Sequence, residues 1–237
     1  MSPRLSGQVA LITGECDALC LSLARSLLQE GAQVALAGSD GRGGSAAEAI
    51  GVRWYALDLR DHEASRAVIG NVVDQLGGID VWLHHASPPD GASAAAGLDD
   101  ICNCAQVVGE NMKSRGAGRV IFLATVAGLF APAGQALRNS QEAGLYMLTK
   151  SLAVDWAPLG LRVNAIARGV VQDAANPPDD HLLERIPLGR AARAQEMVEA
   201  ALFLADDRES SFVTGEVLRV DGGWTAYHLF HPFDDAF

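Results

Sequence analysis

Apolar positions fall in short unbroken runs that alternate with longer amphipathic stretches. The runs at 9–13, 34–37, 52–57, 79–85, 119–125, 162–167 and 216–220 predict strands buried on both faces. The stretches at 19–29, 63–76, 98–115, 136–156 and 194–205 carry apolar residues at helical spacing and predict helices. Gly31 and the Gly77-Gly78 pair stand where two of these helices should stop. Strict alternation of strand and helix predicts an α/β fold, a single Rossmann-type doubly wound parallel sheet with helices on both faces. No repeat or long linker divides the chain, so residues 1–237 are expected to form one domain with an aromatic tail at 225–237. The loosest segments are 92–97 and 176–180.

Composition narrows the function classes. Of 237 residues, 18 are Lys or Arg and 29 are Asp or Glu, a formal net charge of −11. That balance argues against nucleic acid and leaves no basic patch for a lipid surface. No apolar run approaches the length of a membrane span, and residues 1–7 lack an apolar signal core. Cys16, Cys20, Cys102 and Cys104 are too few for a disulfide-built domain, and the expected compartment is a reducing cytosol. Cys102 and Cys104 lack the second pair or spaced histidines of a metal site and are expected in the core. His84 and His85 are adjacent on a strand, so their side chains should point to opposite faces and not share a metal.

Several segments together resemble the short-chain dehydrogenase/reductase family. Gly7 and Gly14 bracket a Val-Ala-Leu-Ile-Thr strand like the family's first. Asp58 stands in the acidic dipeptide after the third strand. The segments 118–121, 149–153, 160–166 and 186–190, then Thr214-Gly215 and 220–224, complete a likeness that covers nearly the whole chain. The resemblance implies NAD or NADP as cofactor and a serine–tyrosine–lysine set for proton transfer.

The register places different residues at those positions. Counting back 20 residues from the strand that starts at Arg162 puts the family's lysine position at Glu142 and its tyrosine position at Arg138. Thirteen residues before Arg138 stands Thr125, a hydroxyl in place of the serine. Tyr146 and Lys150 mimic the Tyr-x-x-x-Lys spacing but lie two turns too far along the helix, and they are expected to be a packed aromatic and a solvated cation. Arg138 and Glu142 are spaced i,i+4 and are expected to pair along the helix surface. The functional alternative is an anion-binding arginine in a repurposed cleft.

The cofactor positions also differ. Gly14 remains of the three loop glycines, while Ala18 and Cys20 occupy the other two places. Glu15 and Asp17 add carboxylates, and one such charge about 5 Å from a phosphate costs roughly 3 kcal/mol at an effective dielectric of about 20. They are expected to cap the next helix without a ligand. The second strand ends in Gly38-Ser39, Arg168-Gly169 replaces a Pro-Gly, and Asp58 alone remains for the adenine. Asn103 and Asn111 are both off the register of the family's helix asparagine.

These departures predict a catalytically silent subunit that binds no cofactor tightly and supports an intact dehydrogenase/reductase subunit in a cytoplasmic hetero-oligomer. The resemblance implies a tetramer packed through the helices near 100–115 and 136–156 and the last strand. The alternatives are an active NAD(P)-dependent oxidoreductase with another proton donor, and a ligand-sensing regulator that uses the empty cleft.

Overall fold

The computed structural model describes residues 3–39, 41, 43–86, 96–173 and 177–227. Its strands are β1 (Val9–Gly14), β2 (Gln33–Gly38), β3 (Arg53–Ala56), β4 (Val81–His85), β5 (Gly118–Thr125), β6 (Leu161–Arg168) and β7 (Val217–Val220). All seven join one parallel sheet in the order β3-β2-β1-β4-β5-β6-β7. The order reverses between β1 and β4, and the carboxyl ends there open the crevice in which such sheets collect ligands.

The helices are α1 (Ala18–Gln29), α2 (Gly43–Glu48), α3 (His62–Leu76), α4 (Leu98–Arg115), α5 (Ala136–Trp156), α6 (Asp180–Glu184), α7 (Ala194–Ala205), α8 (Asp207–Ser210) and α9 (Trp224–Tyr227). Each central strand feeds two cores because successive side chains alternate. Val120, Phe122 and Ala124 of β5 join Ile69, Val108, Met112 and Leu145 under α3, α4 and α5. Ile121 and Leu123 join Leu23, Leu27, Met197 and Leu202 under α1 and α7.

Aspartate side chains start several helices. Asp17 accepts from Cys20 N at 2.8 Å, Asp61 from Ala64 N at 2.9 Å, and Asp179 from Leu182 N at 2.7 Å. Glycines in the left-handed region, Gly77 and Gly116, stop α3 and α4.

Some predicted boundaries shift. The strand expected from 79 starts at Val81, because Ile79 N donates to the Asn111 side chain and Asp80 N to Val9 O outside the ladder. The predicted strands at 52 and 216 start one residue later. Four short helices, α2, α6, α8 and α9, have no counterpart in the apolar pattern. α2 reads Gly-Gly-Ser-Ala-Ala-Glu and has little helix propensity. It forms under the Trp54 ring, which lies so close that a Cβ on Gly43 would meet it at 2.0 Å.

Cys104 is buried on α4, and burial pushes its thiol up to about 12. No helix among the described residues is long and apolar enough to cross a membrane. Of the aromatic tail at 225–237, the part beyond Tyr227 lies outside the described residues, as does most of the loose segment 92–97.

Candidate functional site

β5 ends at Thr125, and a tight turn over Val126–Gly128 packs directly against α5. The approach is close: a Cβ on Gly128 would sit 2.7 Å from the Glu142 carbonyl carbon. This contact turns Glu142 inward. The residue is 5 % exposed, and its carboxyl accepts Thr125 N–H at 2.6 Å and the Thr125 hydroxyl at 3.0 Å. The same hydroxyl accepts Ala127 N–H at 3.3 Å. Burial pushes the Glu142 carboxyl above its ordinary range, against the opposing pull of the Thr125 bonds and of Arg138 and Arg168.

The structure therefore joins Thr125 to Glu142 and corrects the expected surface pair of Arg138 with Glu142. Arg138 is half-buried in the first turn of α5. Its Nη1 lies 3.4 Å from Gln135 Oε1, and its Nε is sealed from solvent without an acceptor.

Tyr146 lies one turn beyond Glu142 and is 5 % exposed. Its hydroxyl donates to Thr125 O at 2.5 Å, and burial raises its pKa. Lys150 is exposed. It lines a cavity of about 400 Å³ beside β7 with Phe130, Glu216 and Arg219.

At the switch point, Gly14 has φ +109°, and a Cβ there would meet His85 O at 2.2 Å. Glycine is thus required by the approach of β1 to β4. Asp17 caps α1 and lies 3.5 Å from His85 Nδ1. Glu15 O is 3.3 Å from the same nitrogen. Both neighbours are acceptors, which assigns the proton to Nδ1. Nε2 is then a buried acceptor without a partner. Burial lowers the His85 pKa, so the ring is neutral.

Ala18 opens α1, and Cys20 is buried in its core face. Asp58 is held by Arg60 through Nε at 2.9 Å and Nη2 at 2.6 Å, which lowers its pKa. His84 faces the other way from His85. Trp82 Nε1 donates to Thr13 Oγ1 at 2.9 Å, and the same hydroxyl is hydrogen-bonded to His84 Nδ1, also at 2.9 Å. Burial pulls the His84 pKa down to about 3. Asn111 binds Ile79 N at the opposite end of the sheet, and Asn103 contacts His62 and Asp99 O.

Sequence reasoning counted Arg168 among the changed cofactor positions but gave it no role among the charges of the site. It ends β6, and its guanidinium lies within electrostatic reach of Asp17, Glu142, Arg138 and Glu15, with burial lowering its pKa. The available signal was a charge at the carboxyl end of an apolar strand, where doubly wound sheets gather chemistry.

A seven-stranded parallel sheet in this order, with a glycine turn opening a helix beside the switch point, defines a doubly wound fold of the dinucleotide-binding class. Residues 17–225 match the family model described as enoyl-(acyl carrier protein) reductase. The chain belongs to the short-chain dehydrogenase/reductase family. It is 32% identical to the 3-oxoacyl-[acyl-carrier-protein] reductase FabG of Thermotoga maritima, over 93% of this chain and 98% of that protein. It is 29% identical to cis-4-hydroxycyclohexanecarboxylate dehydrogenase of Sinomonas cyclohexanicum, over 95% of this chain and all of that protein. The crystal structure of gox2181 superposes with a TM-score of 0.87 at 26% identity, covering 95% of this chain and 98% of that one.

Proposed function

We propose that this chain is a catalytically silent member of its family that assembles with, and supports, an intact dehydrogenase/reductase subunit. The Thr125–Glu142 pair carries the reading. Hydride chemistry in the family needs a free hydroxyl to orient the substrate oxygen and a cation to depress the pKa of a proton donor. Here the hydroxyl donates to Glu142, and the residue at the cation's place is an acid. At the donor's place stands Arg138, and a guanidinium does not act as a proton donor in such chemistry. Tyr146 spends its hydroxyl on a backbone carbonyl and is pushed away from the range of a proton donor.

On this reading the residues do not fit NAD or NADP. Asp17 spends its carboxylate on Cys20 N–H at the start of α1, where a pyrophosphate would seek amide donors. Arg60 occupies Asp58, and Arg168 stands among the acids. What remains is shape. The outer face of α5 carries Leu137, Met147 and Val154 at 76%, 62% and 75% exposure, the kind of surface that a neighbouring subunit covers. The proposed assembly is a cytoplasmic hetero-tetramer packed through α4, α5 and β7. The partner would act on a hydroxyacyl or ketoacyl thioester; the Thermotoga maritima relative is named for a 3-oxoacyl-[acyl-carrier-protein].

The test is copurification with an intact family member encoded beside it, together with calorimetric titration of the isolated chain. Copurification and no binding of NAD(H) or NADP(H) are expected. A dissociation constant below about 100 μM, roughly −5.5 kcal/mol, would overturn the reading, as would turnover by the isolated chain. The second reading is an active oxidoreductase with a non-standard proton donor. It is favoured by relatives named as dehydrogenases and reductases that match over more than nine-tenths of the chain. The same titration separates the two.

A further inference from the structure

We propose that Arg138 anchors an oxyanion site at the mouth of the cleft and takes the carboxylate of a small organic acid. The inference rests on the reading above only in that the cleft holds no dinucleotide. Arg138 lies one helical turn before Glu142, which is bonded to the end of β5, so the guanidinium stands at the carboxyl ends of the strands. Among the described residues no carboxylate comes within 4.0 Å of it. Its Nε is closed off from water with no acceptor, and its nearest polar partner is the Gln135 amide oxygen at 3.4 Å from Nη1.

Helix stability does not explain this arginine. α5 begins on Gln135, which makes no side-chain cap bond, and no acid stands in its first turn. α1 and α3 begin on aspartate caps. A cation in the first turn opposes the helix dipole. Glu142 is not hydrogen-bonded to it: its carboxyl oxygens are turned to Thr125, and Arg138 acts on it only through longer-range attraction.

The chemistry selects the ligand. A guanidinium fork binds a planar carboxylate bidentately. Arg168 adds a second positive charge within reach of Arg138 and Glu142, while Asp17 and Glu15 offset it. Those acids repel a dianion more than a monoanion, which favours a carboxylate over a phosphate.

The probes are cyclohexanecarboxylate, its neutral carboxamide and inorganic phosphate, each titrated by calorimetry into the full chain. Saturable binding of the carboxylate is expected, with phosphate weaker and the carboxamide silent. Arg138→Gln should weaken carboxylate binding by about tenfold or more, and Arg138→Lys should fall between. A thermal melt of each variant checks that it is folded. Equal carboxylate binding by folded Arg138→Gln overturns the proposal, as do tighter binding of phosphate, equal binding of the carboxamide, or no binding of the carboxylate. NAD(H) titrated in parallel reads that premise separately: binding there would overturn the empty cleft and the silent-subunit reading, whereas loss of the Arg138 dependence overturns the carboxylate site itself.

Discussion

Glu142→Gln removes the charge at the centre of the site and keeps its shape. The native carboxyl accepts two buried donors of Thr125, at 2.6 and 3.0 Å. Glutamine retains one carbonyl oxygen and turns an NH2 toward the other donor. One buried donor is then left without an acceptor, at a cost of about 1–3 kcal/mol. For a chain of this length that is about 2–12 °C in melting temperature, at 2–4 °C per kcal/mol. A second effect has the opposite sign. Burial raises the pKa of Glu142, so the folded chain holds the charged form at a free-energy penalty, about 1.4 kcal/mol for every tenfold gain in proton affinity. The folded state therefore binds this proton more tightly than the unfolded state. The stabilising contribution of Glu142 is complete below the ordinary glutamate value of about 4.3 and declines as pH rises through the higher folded value. Glutamine has no such dependence. Calorimetric melts of native chain and variant between about pH 4 and 8 should show the variant lower at acid pH and the gap narrowing as pH rises. A gap independent of pH, or one that widens toward pH 8, would refute the argument that a buried carboxyl strains the site.

Three other substitutions test separate parts of the structure. Tyr146→Phe removes the donor to Thr125 O and should cost about 1 kcal/mol, or about 2–4 °C in a thermal melt, while leaving the turnover of any complex intact; a tenfold fall in turnover would contradict the register. Gly14→Ala forces a side chain onto His85 O in a left-handed backbone and should abolish soluble expression, so a soluble variant with a native melt would count against the β1–β4 approach. His84 is held neutral down to about 3 by burial, whereas an unfolded histidine takes its proton near pH 6.5. Stability should therefore fall by roughly 3 kcal/mol as pH drops from about 6.5 to 4, and urea denaturation of His84→Asn at the two pH values should show that part of the fall removed.

The strands were legible because each is a continuous apolar run, and a parallel sheet covered on both faces demands such runs. Their ends were less so. Ile79 and Asp80 look like strand residues, yet their amides serve Asn111 and Val9 outside the ladder. α2 was invisible to a propensity argument because its glycines are there for the Trp54 ring, a partner from another strand. In the site, the spacing of the family it resembles placed Thr125, Arg138 and Glu142 on the register, and the Thr125–Glu142 pair is a contact between the end of β5 and α5. Spacing could not say that Glu142 turns inward. That follows from the close packing of Gly128 on the helix, a fact of three dimensions. The position of Arg168 was read as a changed cofactor position, but its place among the charges was not, for the same reason: its neighbours come from the loop after β1 and from α5, far apart in sequence.

Taken one at a time, the substitutions around the crevice would each be costly. A carboxyl in the protein interior needs donors, a buried guanidinium needs acids, and a helix start needs an acceptor for its first amides. The structure supplies each from within the chain. Thr125 gives Glu142 two donors, and Asp17 takes an amide at the head of α1. Asp17, Glu142 and Glu15 attract Arg168, and Arg138 repels it. A cleft built around a dinucleotide leaves such groups for the ligand to complete, because the pyrophosphate is itself the anion at the helix start. Here Thr125 with Glu142, and Asp17 with the head of α1, complete one another, while Arg138 Nε and His85 Nε2 are buried without a hydrogen-bond partner. On the proposed reading, this contrast leaves the anion-binding chemistry of the crevice to Arg138. It also sets the order of experiments: if the inner network is a substitute for ligand, Glu142→Gln should change stability and its pH dependence without creating dinucleotide affinity, whereas changes at Arg138 should alter anion binding and leave the melt nearly unmoved.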